Sequence, residues 1–164
     1  MKNFDWTSFT KTIAIKAPLS TIYNAWTQAE ELEKWFLKCV IFTDERGKTL
    51  DKTLNVAAGC TYEWLWYLYQ DAMQGLIKKA NGKDFLQFSF EGDCLVDVNL
   101  SEKDNYTIVE LKQHHIPEDD QSKQFIRLGC ASGWAFYLLN LKSLYEGGLD
   151  LRNKDEHLQP MINN

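Results

Sequence analysis

At 164 residues, 45% hydrophobic and 13% aromatic, the chain can bury a substantial core, which excludes intrinsic disorder. Its formal net charge of −5 works against phosphate-backbone binding, which draws its affinity from clustered Lys and Arg, so no nucleic-acid partner is expected. No stretch approaches the roughly 20 apolar residues of a membrane span, and the opening MKNFDWTSFT lacks the apolar run of a secretory signal. A cytoplasmic protein with no membrane span is the expectation.

In chain order, Phe9, Lys11, Ile13 and Ile15 alternate as in a half-buried strand. Ala17-Pro18 breaks it, and Leu19, Ile22, Tyr23 and Trp26 follow at helical spacing, with Pro18 tolerated in the first turn. EELEKWF then reads as a second short helix carrying Leu32, Trp35 and Phe36. From Val40 to Ile116 the pattern is one of strands separated by turn signals. CTYEWLWY puts Tyr62, Trp64 and Trp66 on one face, because strand side chains alternate. Asn81-Gly82 reads as a hairpin tip, with Lys78, Lys79 and Lys83 solvated around it. FLQFSFE aligns Leu86, Phe88 and Phe90, CLVDVNL aligns Cys94, Val96, Val98 and Leu100, and YTIVELKQHH places Val109 and Leu111 together. An antiparallel meander with one buried face follows.

The last element is a long helix over about 120–146, opened by Glu118, Asp119 and Asp120 and stopped by Gly147-Gly148. Its stripe of Cys130, Trp134, Tyr137, Leu138, Leu141 and Tyr145 needs cover, and the sheet is large enough to give it. Gly129 and Gly133 are expected to let helix and sheet approach closely. With no linker or repeat, residues 1–164 read as a single domain, its core at about 9–146 and a tail at 147–164.

Chemistry is sparse. Cys39, Cys60, Cys94 and Cys130 stand too far apart for a zinc signature and read as core thiols. His114 and His115 are neighbours on a strand, so their rings should point to opposite faces and not share a metal. The triplets at Asn99 and Asn105 match the glycosylation pattern by chance, GKT at 47–49 lacks the glycine loop of a phosphate site, and nothing identifies a nucleophile. Neither a metal nor another cofactor is expected, and a non-enzyme is preferred to an enzyme.

A strand, AP before a helix ending in Ala25-Trp26-Thr27, a second helix ending in Trp35-Phe36, a meander entered through Gly59, and a late helix with Gly133-Trp134 come in a telling order. This set resembles the SRPBCC or START-like superfamily, and within it the Aha1 C-terminal-like family related to activators of the heat-shock-protein ATPase. The likeness covers about residues 9–146. It implies an α+β helix-grip fold: a curved antiparallel sheet around a long C-terminal helix, with two short helices after the first strand closing one end. It also implies an apolar ligand held between sheet and helix. Two departures stand out: Gly59-Cys60 replaces the usual Gly-Gly, and the tail lies outside the pattern, where it could meet a partner.

The residues that could line such a cavity, or simply fill it, are Trp35, Phe36, Tyr62, Trp64, Trp66, Phe88, Phe90, Val98, Leu111, Trp134 and Leu138. Trp26 reads as ordinary core. Tyr62, Gln113 or His115 would select a ligand's orientation. Non-catalytic binding of a small hydrophobic molecule is the first reading. The second is a stress-related co-chaperone-like module that binds a chaperone or another protein, and a homodimer fits either. An enzyme acting on a hydrophobic or polyketide-like substrate is the third.

Overall fold

The computed structural model describes residues 4–158 and 161–164. Strand β1 (Phe9–Ile15) leads into helices α1 (Leu19–Thr27) and α2 (Ala29–Trp35). Six strands follow: β2 (Cys39–Thr43), β3 (Thr61–Leu65), β4 (Met73–Ala80), β5 (Phe85–Ser89), β6 (Leu95–Lys103) and β7 (Tyr106–His114). All seven strands join in one antiparallel sheet, ordered β1-β7-β6-β5-β4-β3-β2. From β2 to β7 each strand lies beside its sequence neighbour. Only β1 departs, pairing with β7 from Phe9↔Gln113 to Ile15↔Thr107.

Because β1 and β2 occupy opposite edges, α1 and α2 must carry the chain across the end of the sheet. The break between them is Gln28, whose extended backbone (φ −102°, ψ 135°) bridges to Asn55. Their inner faces bury Ile22, Tyr23, Trp26, Leu32 and Trp35. Asn81 N–H donates to Phe85 O across the tip of the β4–β5 hairpin, where the Asn-Gly pair was expected.

The closing helix runs from Asp120 to Tyr145 but is not α-helical throughout. Asp119 caps it, its carboxylate accepting from the Ser122 N–H at 2.9 Å and hydroxyl at 2.6 Å. A single turn, α3 (Asp120–Ser122), gives way to a π-helical stretch, Lys123–Cys130, and then to α4 (Ala131–Tyr145). The expected single α-helix is thus corrected in its middle. The glycines of this helix also face the wrong way for the role expected of them. A Cβ at Gly133 would meet nothing within 4 Å, and one at Gly129 only Gln124 O at 3.7 Å, so neither brings helix and sheet together. A close approach is made within the sheet instead, at Gly75 on β4, where a Cβ would stand 2.3 Å from the ring of its cross-strand partner Tyr62.

The tail docks on the protein's own surface. Asn140, buried on α4, donates to Trp35 O (2.7 Å) and Asp150 Oδ1 (3.1 Å) and accepts from the Leu151 N–H (2.7 Å). The guanidinium of Arg152 donates to Leu37 O, Glu33 O and Lys34 O, satisfying carbonyls at the end of α2, and pairs with Asp150 at 2.7 Å. Tyr137 donates its hydroxyl to Asn164 O at 2.7 Å. No helix among the described residues is long and apolar enough to cross a membrane.

Candidate ligand-binding site

The space between sheet and helix is filled by rings from every surrounding element. The end of α2 supplies Trp35 and Phe36, stacked at 5.1 Å between centroids. Strand β3 supplies Tyr62 and Trp64, stacked at 3.9 Å, while β5 supplies Phe88 and leads to Phe90. From α4, Trp134 reaches Phe36 at 5.1 Å, Phe90 at 5.2 Å and Phe88 at 6.3 Å. Such contacts add about 0.5–1.5 kcal/mol per pair beyond the area buried. Of the residues expected to line the interior, ten are buried and Trp66 is half-buried. Val98, Leu111 and Leu138 belong to the same core but contribute no ring, and Val98 pairs with Leu111 across β6 and β7.

The strands stop short of two of these residues. β3 ends at Leu65 and β5 at Ser89, so Trp66 and Phe90 stand on loops rather than strands. They still join the cluster, 6.3 Å apart, with Trp66 edge-on to Phe36 at 5.4 Å. Trp66 forms the rim: it touches Tyr69, which is exposed, and Leu68 between them adopts a left-handed φ of 69°. A leucine held there stores about 1–3 kcal/mol of backbone strain. Tyr67, in the same loop, lies under the cations of Arg152 (5.2 Å) and Lys154 (4.9 Å), which ties the rim to the tail.

The polar groups divide into paired and unpaired. Trp35 Nε1 donates to Ala25 O at 2.9 Å, and Trp134 Nε1 to Gln113 Oε1 at 3.0 Å. The Tyr62 hydroxyl donates to Ser89 O at 2.6 Å, and burial pushes its pKa up. Trp26 Nε1, Trp64 Nε1 and Gln113 Nε2 are buried without a partner. Gln113 therefore sits where an orienting group was expected; Tyr62 is already engaged, and His115 is not in the interior at all. A positive φ of 60° turns His115 out of the strand pattern and leaves it exposed. Its ring lies 4.6 Å from that of His114, against the expectation of opposite faces, and His114 Nε2 is 3.1 Å from Asp97 Oδ2.

Trp26 is the residue that sequence reasoning set aside. It meets Trp35 edge-on at 4.8 Å and Trp134 at 5.9 Å, so it belongs to the ring cluster. Helical spacing marks it as buried but does not show which rings it meets, and its N–H is left without a partner. The nearby thiols are poor nucleophiles: burial first, and the Glu91 charge second, push Cys130 up to about 12, and burial raises Cys94. Among the described residues no three His, Cys, Asp or Glu side chains gather to hold a metal ion. Two open surface clefts, of about 420 and 480 Å³, lie beside Pro18 and Tyr106 and beside Asp44 and Leu54, away from the ring cluster.

The sequence pattern of the Activator of Hsp90 ATPase homolog 1-like protein family matches residues 16–146, from the end of β1 to the end of α4. The chain belongs to this family. Solved structures agree with the activator-homologue fold. The Aha1 dimer from Colwellia psychrerythraea superposes with a TM-score of 0.67 at 20% identity, covering 86% of this chain and 97% of that one. The protein SSP2350 from Staphylococcus saprophyticus gives 0.68 at 16% identity, with 88% and 96% covered. DynU16, a putative protein in the dynemicin biosynthetic locus, gives 0.69 at 14% identity over 90% of this chain and 50% of its own. At such identities the likeness speaks for the helix-grip fold alone. No curated protein matches the chain in sequence.

Proposed function

We propose that this activator-homologue domain, acting as one unit over residues 1–164, binds a small hydrophobic molecule between the sheet and α4 without transforming it. The observation that carries this reading is the continuity of the ring cluster from the buried Trp134 through Phe36 and Phe90 to the half-exposed Trp66. A cluster made only to fill a core has no need of a rim mounted on a strained loop. Here the loop of Trp66 to Tyr69 acts as the movable cover, and rings displaced toward solvent make room for the ligand, with aromatic faces supplying the apolar area. The occurrence of DynU16 in a biosynthetic locus is in keeping with a domain that handles small organic molecules.

Trp134→Ala tests the assignment. Loss of this buried ring lowers stability by about 3–5 kcal/mol in either case, so stability alone does not decide. Thermal unfolding and binding of an apolar fluorescent probe are measured together on wild type and variant. The reading expects probe affinity to change several-fold in the folded variant; a destabilised variant with unchanged probe binding contradicts it.

A second reading rests on the outer face of the closing helix, where Phe125, Leu128 and Leu139 are exposed beside Gly129 and Ser132. Small residues there leave room for close approach by another helix, and the similar Colwellia protein is a dimer. Self-association or docking to a chaperone would use this face. It is compatible with ligand binding, which takes place on the opposite side of the helix.

A further inference from the structure

We infer that the interior selects its ligand by hydrogen-bond acceptors, and that the ligand is a neutral polycycle bearing a carbonyl. This rests on the ligand-binding reading above and names the class of molecule that site would take. The side chains of Trp26 and Trp64 each bury an unpartnered N–H in the ring cluster, and the Gln113 amide nitrogen has only the thiols of Cys94 and Cys130, weak acceptors, beside it. All three are donors, because an indole N–H and an amide NH₂ cannot accept. The oxygen of Gln113 already accepts from Trp134. The three side chains belong to one neighbourhood around Trp134: Gln113 accepts from its indole, the Trp26 ring lies 5.9 Å from it, and Trp64 packs on Phe88 at 5.1 Å, which in turn lies 6.3 Å from Trp134.

Each buried donor left unpaired costs about 1–3 kcal/mol, so a ligand that supplies acceptors recovers a penalty that a pure hydrocarbon does not. The surroundings reject the other classes. An ammonium ligand, itself a donor without a lone pair, would find no acceptor among these three nitrogens. A carboxylate would lose its hydration without finding a cation, since the guanidinium of Arg152 is committed to Asp150 and to carbonyls at the end of α2. A hydroxyl would bring a proton of its own and compete for Ser89 O and Gln113 Oε1, which already accept from Tyr62 and Trp134. A ketone oxygen accepts twice and donates nothing, matching a site of donors.

Fluorene and 9-fluorenone separate these terms, because they share a flat tricyclic skeleton and differ in a CH₂ against a C=O. Calorimetric titration of each into the full chain is expected to show 9-fluorenone binding about tenfold more tightly, the effect of one to two hydrogen bonds. Trp26→Phe, Trp64→Phe and Gln113→Met, each checked for folding by thermal melting, should lower the ratio of 9-fluorenone to fluorene affinity measured within the same variant. Three variants guard against one that does not fold. Equal affinities for the two probes overturn the acceptor rule but leave ligand binding standing. A preference for 9-fluorenone that survives in every folded variant places the carbonyl elsewhere and also overturns it. Binding of neither probe contradicts the ligand-binding reading itself.

Discussion

At Gly75 the absence of a single carbon sets how closely β4 can lie under Tyr62, since an added Cβ would stand 2.3 Å from the ring. Tyr62 has nowhere to retreat: it is buried, stacked on Trp64 and hydrogen-bonded to Ser89. Gly75→Ala is therefore expected to cost about 1–3 kcal/mol through overpacking. Gly133→Ala should do the reverse, gaining about 1 kcal/mol, because the new methyl meets open space in an α-helix where glycine is a poor former. Urea unfolding of both variants checks the pair, and equal effects would contradict the assignment of the two glycines. Alternation along strands made Tyr62, Trp64 and Phe88 legible as interior residues, and it made Gln113 conspicuous as an amide at an inward position. Gly129 and Gly133 do not bring helix and sheet together as the sequence suggests, because the direction in which a helical glycine faces depends on tertiary packing. The left-handed turn at His115 likewise leaves no mark on the residue alternation.

The π-helical stretch and the tail are elements whose behaviour the packing predicts. Lys123–Cys130 buries no residue fully, whereas α4 buries Trp134, Tyr137, Leu138, Asn140 and Leu141. Backbone amides of the stretch should thus exchange with deuterium well before those of α4, and uniform protection along the helix would count against this. The tail depends on charge. Burial alone would raise Asp150, but hydrogen bonds from Arg152 and Lys154 outweigh it and hold the carboxyl well below its ordinary value of 3.8. A depressed carboxyl contributes stability that is complete above the unfolded pKa and is lost as pH falls through it toward the folded one. Asp150→Asn should lower stability by about 3 kcal/mol at neutral pH, because it leaves a buried guanidinium without its counter-charge. That deficit should shrink as pH drops below about 4; thermal unfolding curves that stay parallel down to pH 2 would contradict the ion pair's role. The strands, the Asn81-Gly82 hairpin and the Asp119 cap were legible because each has a local cause. The π geometry was not, since its residues have the same composition as an α-helix. Nor was the docking of Arg152, whose partners lie more than a hundred residues earlier.

On the scale of the whole molecule, placing β1 and β2 at opposite edges forces α1 and α2 across one end of the sheet, and this brings Trp26, Trp35 and Phe36 against Trp134. The order of elements made that architecture readable from sequence, since a strand, two short helices, a meander and a long helix close in few other ways. Whether the enclosed rings yield to a ligand is a property of the assembled interior, and it is the central claim. The six tryptophans report on it directly, because each indole N–H gives its own proton–nitrogen signal. Trp26, Trp35, Trp64 and Trp134 sit in the cluster and Trp66 at its rim, while Trp6 packs with Phe4 and Lys123, outside the ring network. On titration with 9-fluorenone, the account predicts saturable shifts of the five cluster signals with Trp6 unmoved. If the five stay in place at saturating probe, or if Trp6 alone responds, the interior is solid core and the claim is wrong.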